Sequence, residues 1–296
     1  MKSRKAIVAF LLATLVPGLG YLYNGQIKKA LFFHFGLLAY VIIVHLLGVM
    51  AHFRGYLAAL VILVLLVVFA IIDATLTAYK NREYELKRYN KWYIYLLTIV
   101  VFHLTIPVIA SITADNSRYR LFEIVTPTGY PNLLVGDFVL ADFGAFRHQE
   151  PAYGDLLVFS MPNSGNYYIF RLIGLPNDTL HIERQIVTHK NRVSFSELIA
   201  TVFFEDVEME IFIQTLPNGF QYAFARIKNP YFDENEEYSE VVVPNNSFFV
   251  LGDNRNFADD SRFIGFIERE QIQGRLLAVY FSRDLRRINK RWKVGK

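Results

Sequence analysis

Three apolar blocks in the first third of the chain limit what it can fold into more than any other feature. Residues 29–50, 56–79 and 92–113 each run long enough, as a helix, to cross about 30 Å of hydrocarbon. A fourth apolar run, 6–23, is broken by Pro17, Gly18 and Gly20, so a re-entrant or interfacial hairpin is expected there. Basic residues flank that run on both sides, Lys2, Arg4 and Lys5 before it and Lys28 and Lys29 after it. Positive residues collect on the cytoplasmic side, which places both flanks inside. The next two blocks then cross out and back, and the loop KNREYELKRYNK between the second and third blocks sits inside with its five Lys or Arg. The last block carries the rest of the chain outward. Further spans and no clear small-residue cleavage site follow the first run, so it is expected to stay as an anchor and not to be cut off as a signal peptide. The expectation is a multi-pass protein of the cytoplasmic (inner) membrane, with a membrane region over 1–114 and a domain on the outer or periplasmic side.

Composition agrees and narrows the partners. Hydrophobic residues make up 53% of the 296, more than an ordinary soluble domain needs, and they concentrate before about residue 113. The net charge of +4 comes from separate basic clusters at 2–5, 80–91 and 283–296 and not from one continuous face, which fits membrane lipid headgroups and not nucleic acid. With no cysteine, the chain has no disulfide, no thiolate metal site and no thiol nucleophile. The closing run RDLRRINKRWKVGK, 283–296, reads as a solvated basic tail, with Trp292 suited to lie on anionic lipid or an acidic partner.

Ionisable residues inside the apolar blocks raise a separate question. His34, His45 and His52 are spaced so that on one helix they fall within about 20° of each other, and Asp73 lies at a similar depth in the next block. A proton path or a bis-histidine cofactor site fits this row, and so does interhelical hydrogen bonding that fixes packing. Both readings stand, and the first makes the membrane region the functional element.

From Tyr119 the pattern changes to short apolar runs bounded by Gly, Pro, Asn and Asp: FEIV, LLVGDFVLADF, DLLVFSM, YYIFRLIGL, VFFEDVEMEIFI, SFFVLGD and LLAVYFS. Alternation with such boundaries predicts a mainly antiparallel β domain, here over 115–282. His181 and His189 lack partners at metal-ligand spacing, so neither a metal nor another cofactor is expected. Asp259 and Asp260, as neighbours on a predicted strand, point to opposite faces, which argues against paired-carboxylate catalysis.

Four stretches of this domain resemble the signal peptidase I family, membrane-bound serine proteases that remove signal peptides from exported proteins. FEIVTPTGYPNLLVGDFVLADF matches the family block F-x-I-P-S-G-S-M-x-P-T-L-x-x-G-D without gaps. GDLLVFSMP resembles the G-D-I-V-V-F strand, YIFRLIGLPND resembles Y-x-K-R-x-x-G-x-P-G-D, and VLGDNRNFADDSRFIG resembles G-D-N-R-D-N-S-x-D-S-R-x-x-G. Order and spacing agree over about Tyr119 to Ser282, although 183–238 carries no matching motif.

The resemblance implies a fold of signal peptidase type and a serine that attacks the scissile carbonyl while a buried, neutral lysine takes its proton. Carried over by position, the nucleophile falls on Thr128, the oxyanion-hole hydroxyl on Thr126, the methionine after the nucleophile on Gly129, and the block's proline on Pro131. The general-base lysine falls on Phe170 and the serine that orients it on Ala258, while the structural residues Asp253, Arg255, Asp260 and Arg262 are kept. A phenyl ring has no lone pair to accept a proton, and losing a general base typically costs about 10² to 10⁴ in rate. The expectation is a non-catalytic relative whose groove holds an exported or membrane protein, through its signal-peptide region, by strand addition. In that groove Gly129 and Thr128 are expected to enlarge or reshape the pocket floor. The competing expectation is an active peptidase with Thr128 as nucleophile and a base from elsewhere, such as His181 or Lys190.

Overall fold

The computed structural model describes the chain apart from residues 1, 4, 50–52, 82, 85–86, 116–117, 163, 184, 191–193, 205, 229–237 and 292–296. The chain divides into two compact units, Met1–Ser117 and Arg118–Lys296.

In the first unit the broken run becomes two short helices, α1 (Ala6–Leu15) and α2 (Leu19–Tyr23). Val16 is extended, as a residue before proline prefers, and Gly18 takes φ +105°, where a Cβ would lie 2.9 Å from the Ala30 carbonyl oxygen. Only glycine makes that turn against that neighbour. Helices α3 (Ile27–Leu46), α4 (Phe53–Lys80) and α5 (Trp92–Asp115) follow, and β1 (Lys2–Ser3) pairs antiparallel with β2 (Glu83–Tyr84). Two helices among the described residues, α3 and α4, are long and apolar enough to cross a membrane, with mean hydropathies of 1.8 and 3.1. The third expected span is helical, but its described apolar stretch, Trp92–Thr105, is shorter, with Pro107 beyond it. Small side chains, Ala9, Ala13, Ala70 and Ala74, are buried where the helices pack, while Phe32, Phe35, Leu65 and Phe69 face outward.

Several polar residues of this unit tie its segments together. The Asn24 amide donates to the Ala74 carbonyl (2.7 Å), Tyr89 to the Gly25 carbonyl (2.6 Å), and Lys29 pairs with Asp73 at 3.0 Å. His34 packs at a tilt against Phe102, with ring centres 5.3 Å apart, and shares α3 with His45; His52 of the expected row lies outside the described residues. Asp73 has found Lys29 and not a histidine, because α3 brings that lysine alongside α4.

The second unit is β-rich, and every described strand pair is antiparallel. Its strands are β3 (Tyr119–Glu123), β4 (Phe138–Asp142), β5 (Leu156–Ser160), β6 (Tyr167–Gly174), β7 (Thr179–Glu183), β8 (Ile186–His189), β9 (Phe195–Phe204), β10 (Val207–Thr215), β11 (Gln221–Ile227), β12 (Tyr238–Val242), β13 (Ser247–Leu251), β14 (Ile267–Glu268) and β15 (Ile272–Phe281), with a one-turn helix α6 (Ser261–Ile264). A seven-stranded sheet runs β14–β13–β6–β5–β15–β4–β3, and two three-stranded sheets run β11–β10–β9 and β12–β7–β8. The large sheet is buried on both faces. Leu157 and Phe159 of β5 pack with Phe170 and Leu172 on one side, and Leu156 and Val158 pack with Val139 and Ala141 on the other. Alternation therefore sorts apolar residues into two cores.

Part of the run expected to be a solvated basic tail is docked on this unit. Arg287 donates to the Asn132 carbonyl (2.8 Å) and to Asp137 (2.7 Å), and the Val279 and Asn289 amides bond across to the Lys290 and Val279 carbonyls. A buried carboxylate at Asp137 supplies the partner that the charge pattern alone did not reveal.

Candidate active site

The site begins where β3 ends. Thr126 is extended and precedes a single 3-10 turn, Pro127–Gly129, that turns the chain back into the domain. Gly129 is buried, and a Cβ there would lie 2.7 Å from the Leu133 Cβ, so a larger residue has no room on the existing backbone. Gly129 and Leu133 both line the cavity at this point. Pro131, two residues on, is half-buried and does not line the cavity.

The loop after β13 holds this turn from below. The Asn254 amide donates to the Thr128 carbonyl (2.9 Å) and its side chain donates to the Pro127 carbonyl (3.2 Å). A Cβ at Gly252 would fall 2.2 Å from the Ala258 Cβ, 3.0 Å from the Thr128 carbonyl oxygen and 3.6 Å from Phe170 Cε1. Three positions far apart in sequence, 128, 170 and 258, thus converge on one glycine. The fold brings together the residues that the resemblance assigned to nucleophile, base and orienting hydroxyl.

Charged residues fix that loop. Asp253, fully buried, accepts Nε and Nη2 of Arg171 at 2.7 and 2.6 Å and the Asn132 amide at 2.8 Å, tying three of the four sequence blocks to one carboxylate. Arg255 donates to the Tyr222 hydroxyl (2.8 Å) and to the Gly252 carbonyl, and its guanidinium lies 4.5 Å from the Phe224 ring centre. Burial pushes the Tyr222 phenol above its ordinary pKa, so it stays protonated and donates onward to Gln214 (2.6 Å). Asp260 accepts the Gly252 amide (2.9 Å) and is gripped by Arg262 at 2.7 and 2.9 Å. The four residues expected to be structural are all used in this way.

The chemical positions are different in kind. Phe170, on β6 opposite Leu157, is 4% exposed and packs with Phe159, Leu172, Val250 and Ala258. Its ring centre is 5.8 Å from that of Phe159. The Thr128 hydroxyl is hydrogen-bonded to the Thr126 hydroxyl at 3.1 Å, and among the described residues no other side chain bonds to it. Both hydroxyls open onto a cavity of about 690 Å³ lined mainly by apolar groups, including Phe122, Val125, Leu133, Tyr168, Ile169 and Phe170.

Asp259 and Asp260 lie in the loop before α6 and not on a strand, yet they still part company: Asp259 is exposed on the cavity wall and Asp260 is buried beneath it. His181 and Lys190 do not line the cavity, and Lys190 is paired with Glu240. Sequence reasoning passed over Asn254, Asn132 and Arg171 as positioning residues, although all three stand inside matched motifs. Tyr222 and Gln214 come from the unmatched 183–238 stretch and carried no signal.

A family model described as "Signal peptidase, peptidase S26" matches residues 92–281 of this chain. The chain belongs to the signal peptidase I family. Among its relatives, signal peptidase I of Rickettsia conorii is 33% identical over 171 residues, and that of Rickettsia typhi is 34% identical over 172. These matches cover 55% of this chain and 64% and 65% of the relatives, so the chain spans somewhat under two thirds of their length. The crystal structure of a signal peptidase I from Enterococcus faecalis V583 overlaps 43% of this chain and 97% of that one at 23% identity, with a TM-score of 0.22. Within the signal peptidase I family, this member places Thr128, Phe170 and Ala258 where the sequence blocks put nucleophile, base and orienting serine.

Proposed function

We propose that this family member binds the signal-peptide region of an exported or membrane protein in the cavity beside Thr128 and releases it uncut. The observation that carries the reading is Phe170, an apolar ring buried in an apolar core at the base position. A threonine hydroxyl becomes a nucleophile only when a neighbouring group removes its proton, and neither Phe170 nor Thr126 is a base. Binding needs less. An extended chain is held by backbone hydrogen bonds and apolar side-chain contacts, and the cavity wall from 122 to 129 offers both.

The outward-facing apolar residues of α3 and α4 support a seat in the cytoplasmic membrane among its lipids. The basic flanks at 2–5, 28–29 and 80–91 support a multi-pass arrangement with the β domain on the outer side. One observation favours the competing reading, an active peptidase using Thr128: the carboxylates of Glu123 and Asp259 line the same cavity. Neither is hydrogen-bonded to Thr128.

Val125 is 73% exposed and lines the cavity, so Val125→Asp adds a charge to the wall without touching a core. Purified preprotein should bind the lipid-reconstituted native chain and be recovered at full length, and Val125→Asp should weaken that binding by about tenfold. Equal binding by both proteins would remove the cavity as the docking site.

A further inference from the structure

Strand β9 stands at the edge of its sheet with residues that an edge strand ordinarily avoids. The order β11–β10–β9 leaves one long side of β9 without a strand among the described residues. Its sequence, FSELIATVFF, contains no Lys, Arg or Pro, the residues that usually guard an open edge against pairing. Phe195, Leu198, Ile199 and Phe203 are instead 52%, 49%, 54% and 77% exposed.

The charges lie toward the inside. Glu208 pairs with Lys228 at 2.7 Å and Glu210 with Arg226 at 2.9 Å, and Phe203 stands directly opposite Glu208 on the same face. A solvated sheet face usually carries its charges outward and its apolar side chains at the centre; this one reverses that order. A register shift at Ile199 divides the pairing with β10 into 195–198 and 200–204 and leaves both Leu198 and Ile199 facing out.

The second of these segments ends at the cavity. The Phe204 ring packs on Tyr130 at 4.6 Å and on Phe257 at 6.4 Å between centres, and Phe257 lines the cavity that Thr128 opens onto. Phe204, the last residue of β9, therefore stands one ring away from the cavity wall.

We infer that β9, through residues 200–204, is a second strand-pairing surface for the polypeptide held in the cavity, adding a fourth strand to the small sheet. The inference rests on the proposed binding function and extends its footprint beyond the cavity. The segment it takes is extended, with apolar residues at alternate positions to cover Ile199 and Phe203 and no acidic residue facing Glu197. Backbone N–H and C=O groups along this edge, unpaired among the described residues, call for a strand; lipid tails have neither donors nor acceptors for them.

The chain has no cysteine, so Thr201→Cys carrying a photo-crosslinker gives a single reporter on the exposed face of β9. Purified preprotein is offered to the full-length protein in lipid, and affinity is compared between the native chain and the Ile199→Lys, Phe203→Lys double variant. The expected result is an adduct between position 201 and the preprotein and about tenfold weaker binding by the double variant, with its thermal unfolding midpoint unchanged. Binding that the double variant leaves intact, with no adduct at 201, overturns the β9 surface while leaving cavity binding standing. An adduct joining two copies of this chain overturns it in favour of self-association through β9. If native protein binds no preprotein, cavity binding and the β9 surface fall together. Should the double variant not fold, the adduct at 201 on the otherwise native chain decides alone.

Discussion

Two parts of the β domain lie within a few ångström of each other and have been held to different standards. The loop 252–262 keeps four of its charged residues in a closed network: Asp253 with Arg171, Asp260 with Arg262, and Arg255 with Tyr222. The wall beside it, at Phe170 and Ala258, is an apolar core that touches the same Gly252. The difference teaches that the position of the turn at Thr128 and the reactivity of Thr128 have separate physical causes. Buried charges with directional partners fix where the turn sits, because each must be satisfied in one geometry. Reactivity depends on a lone pair near one hydroxyl, and a scaffold can outlast it.

The comparison breaks most sharply at Asp253. Both side chains of the Arg171–Asp253 pair are 0% exposed, so Asp253→Ala leaves a buried guanidinium without its counter-ion. Removing one partner of such a pair costs about 3–5 kcal/mol, to be read from chemical denaturation of the purified chain. An Asp253→Ala protein as stable as the native one would show that the network is ornamental.

A smaller effect is expected at Asp137. Burial alone would raise its pKa, but Arg287, the Leu134 amide and the Ser282 hydroxyl outweigh burial and hold it below its ordinary value. A carboxylate with a lowered folded pKa contributes stability above the pKa it has when unfolded, and that contribution is lost as pH falls through the folded value. Asp137→Asn should therefore destabilise the chain by about 1.5–3 kcal/mol at neutral pH, with the gap from native closing in acid. The comparison of native and variant matters, because Asp155, whose pKa burial raises, moves the native chain in the opposite direction. A gap independent of pH would contradict the ion pair with Arg287.

What the sequence made legible follows from range. The helices α3 and α4 were readable because a long apolar run is a local signal, and the strands because alternation has a period of two residues. Thr128, Phe170 and Ala258 could be placed at one point only through matched blocks, since no local pattern says that 128, 170 and 258 meet at Gly252. The β9–β11 sheet matched no block, so its reversed charge order is visible only once strand partners are known. Arg287 looked like tail because its partner, Asp137, is 150 residues away. The Asp259–Asp260 pair misled in detail, as the turn before α6 interrupts what reads as a continuing strand.

At the chemical positions themselves the smallest structural effect is expected. Thr128 is bonded through its side chain only to the exposed Thr126 among the described residues, so Thr128→Ala should leave stability within about 0.5 kcal/mol of native. That neutrality makes it the cleanest probe of chemistry. The deciding measurement is the mass of a purified preprotein after long incubation with the chain reconstituted in lipid, native against Thr128→Ala. Full-length preprotein from both is the predicted result. A shortened product made by the native chain and absent with Thr128→Ala would contradict the account, because some basic group would then be taking the threonine proton in spite of Phe170.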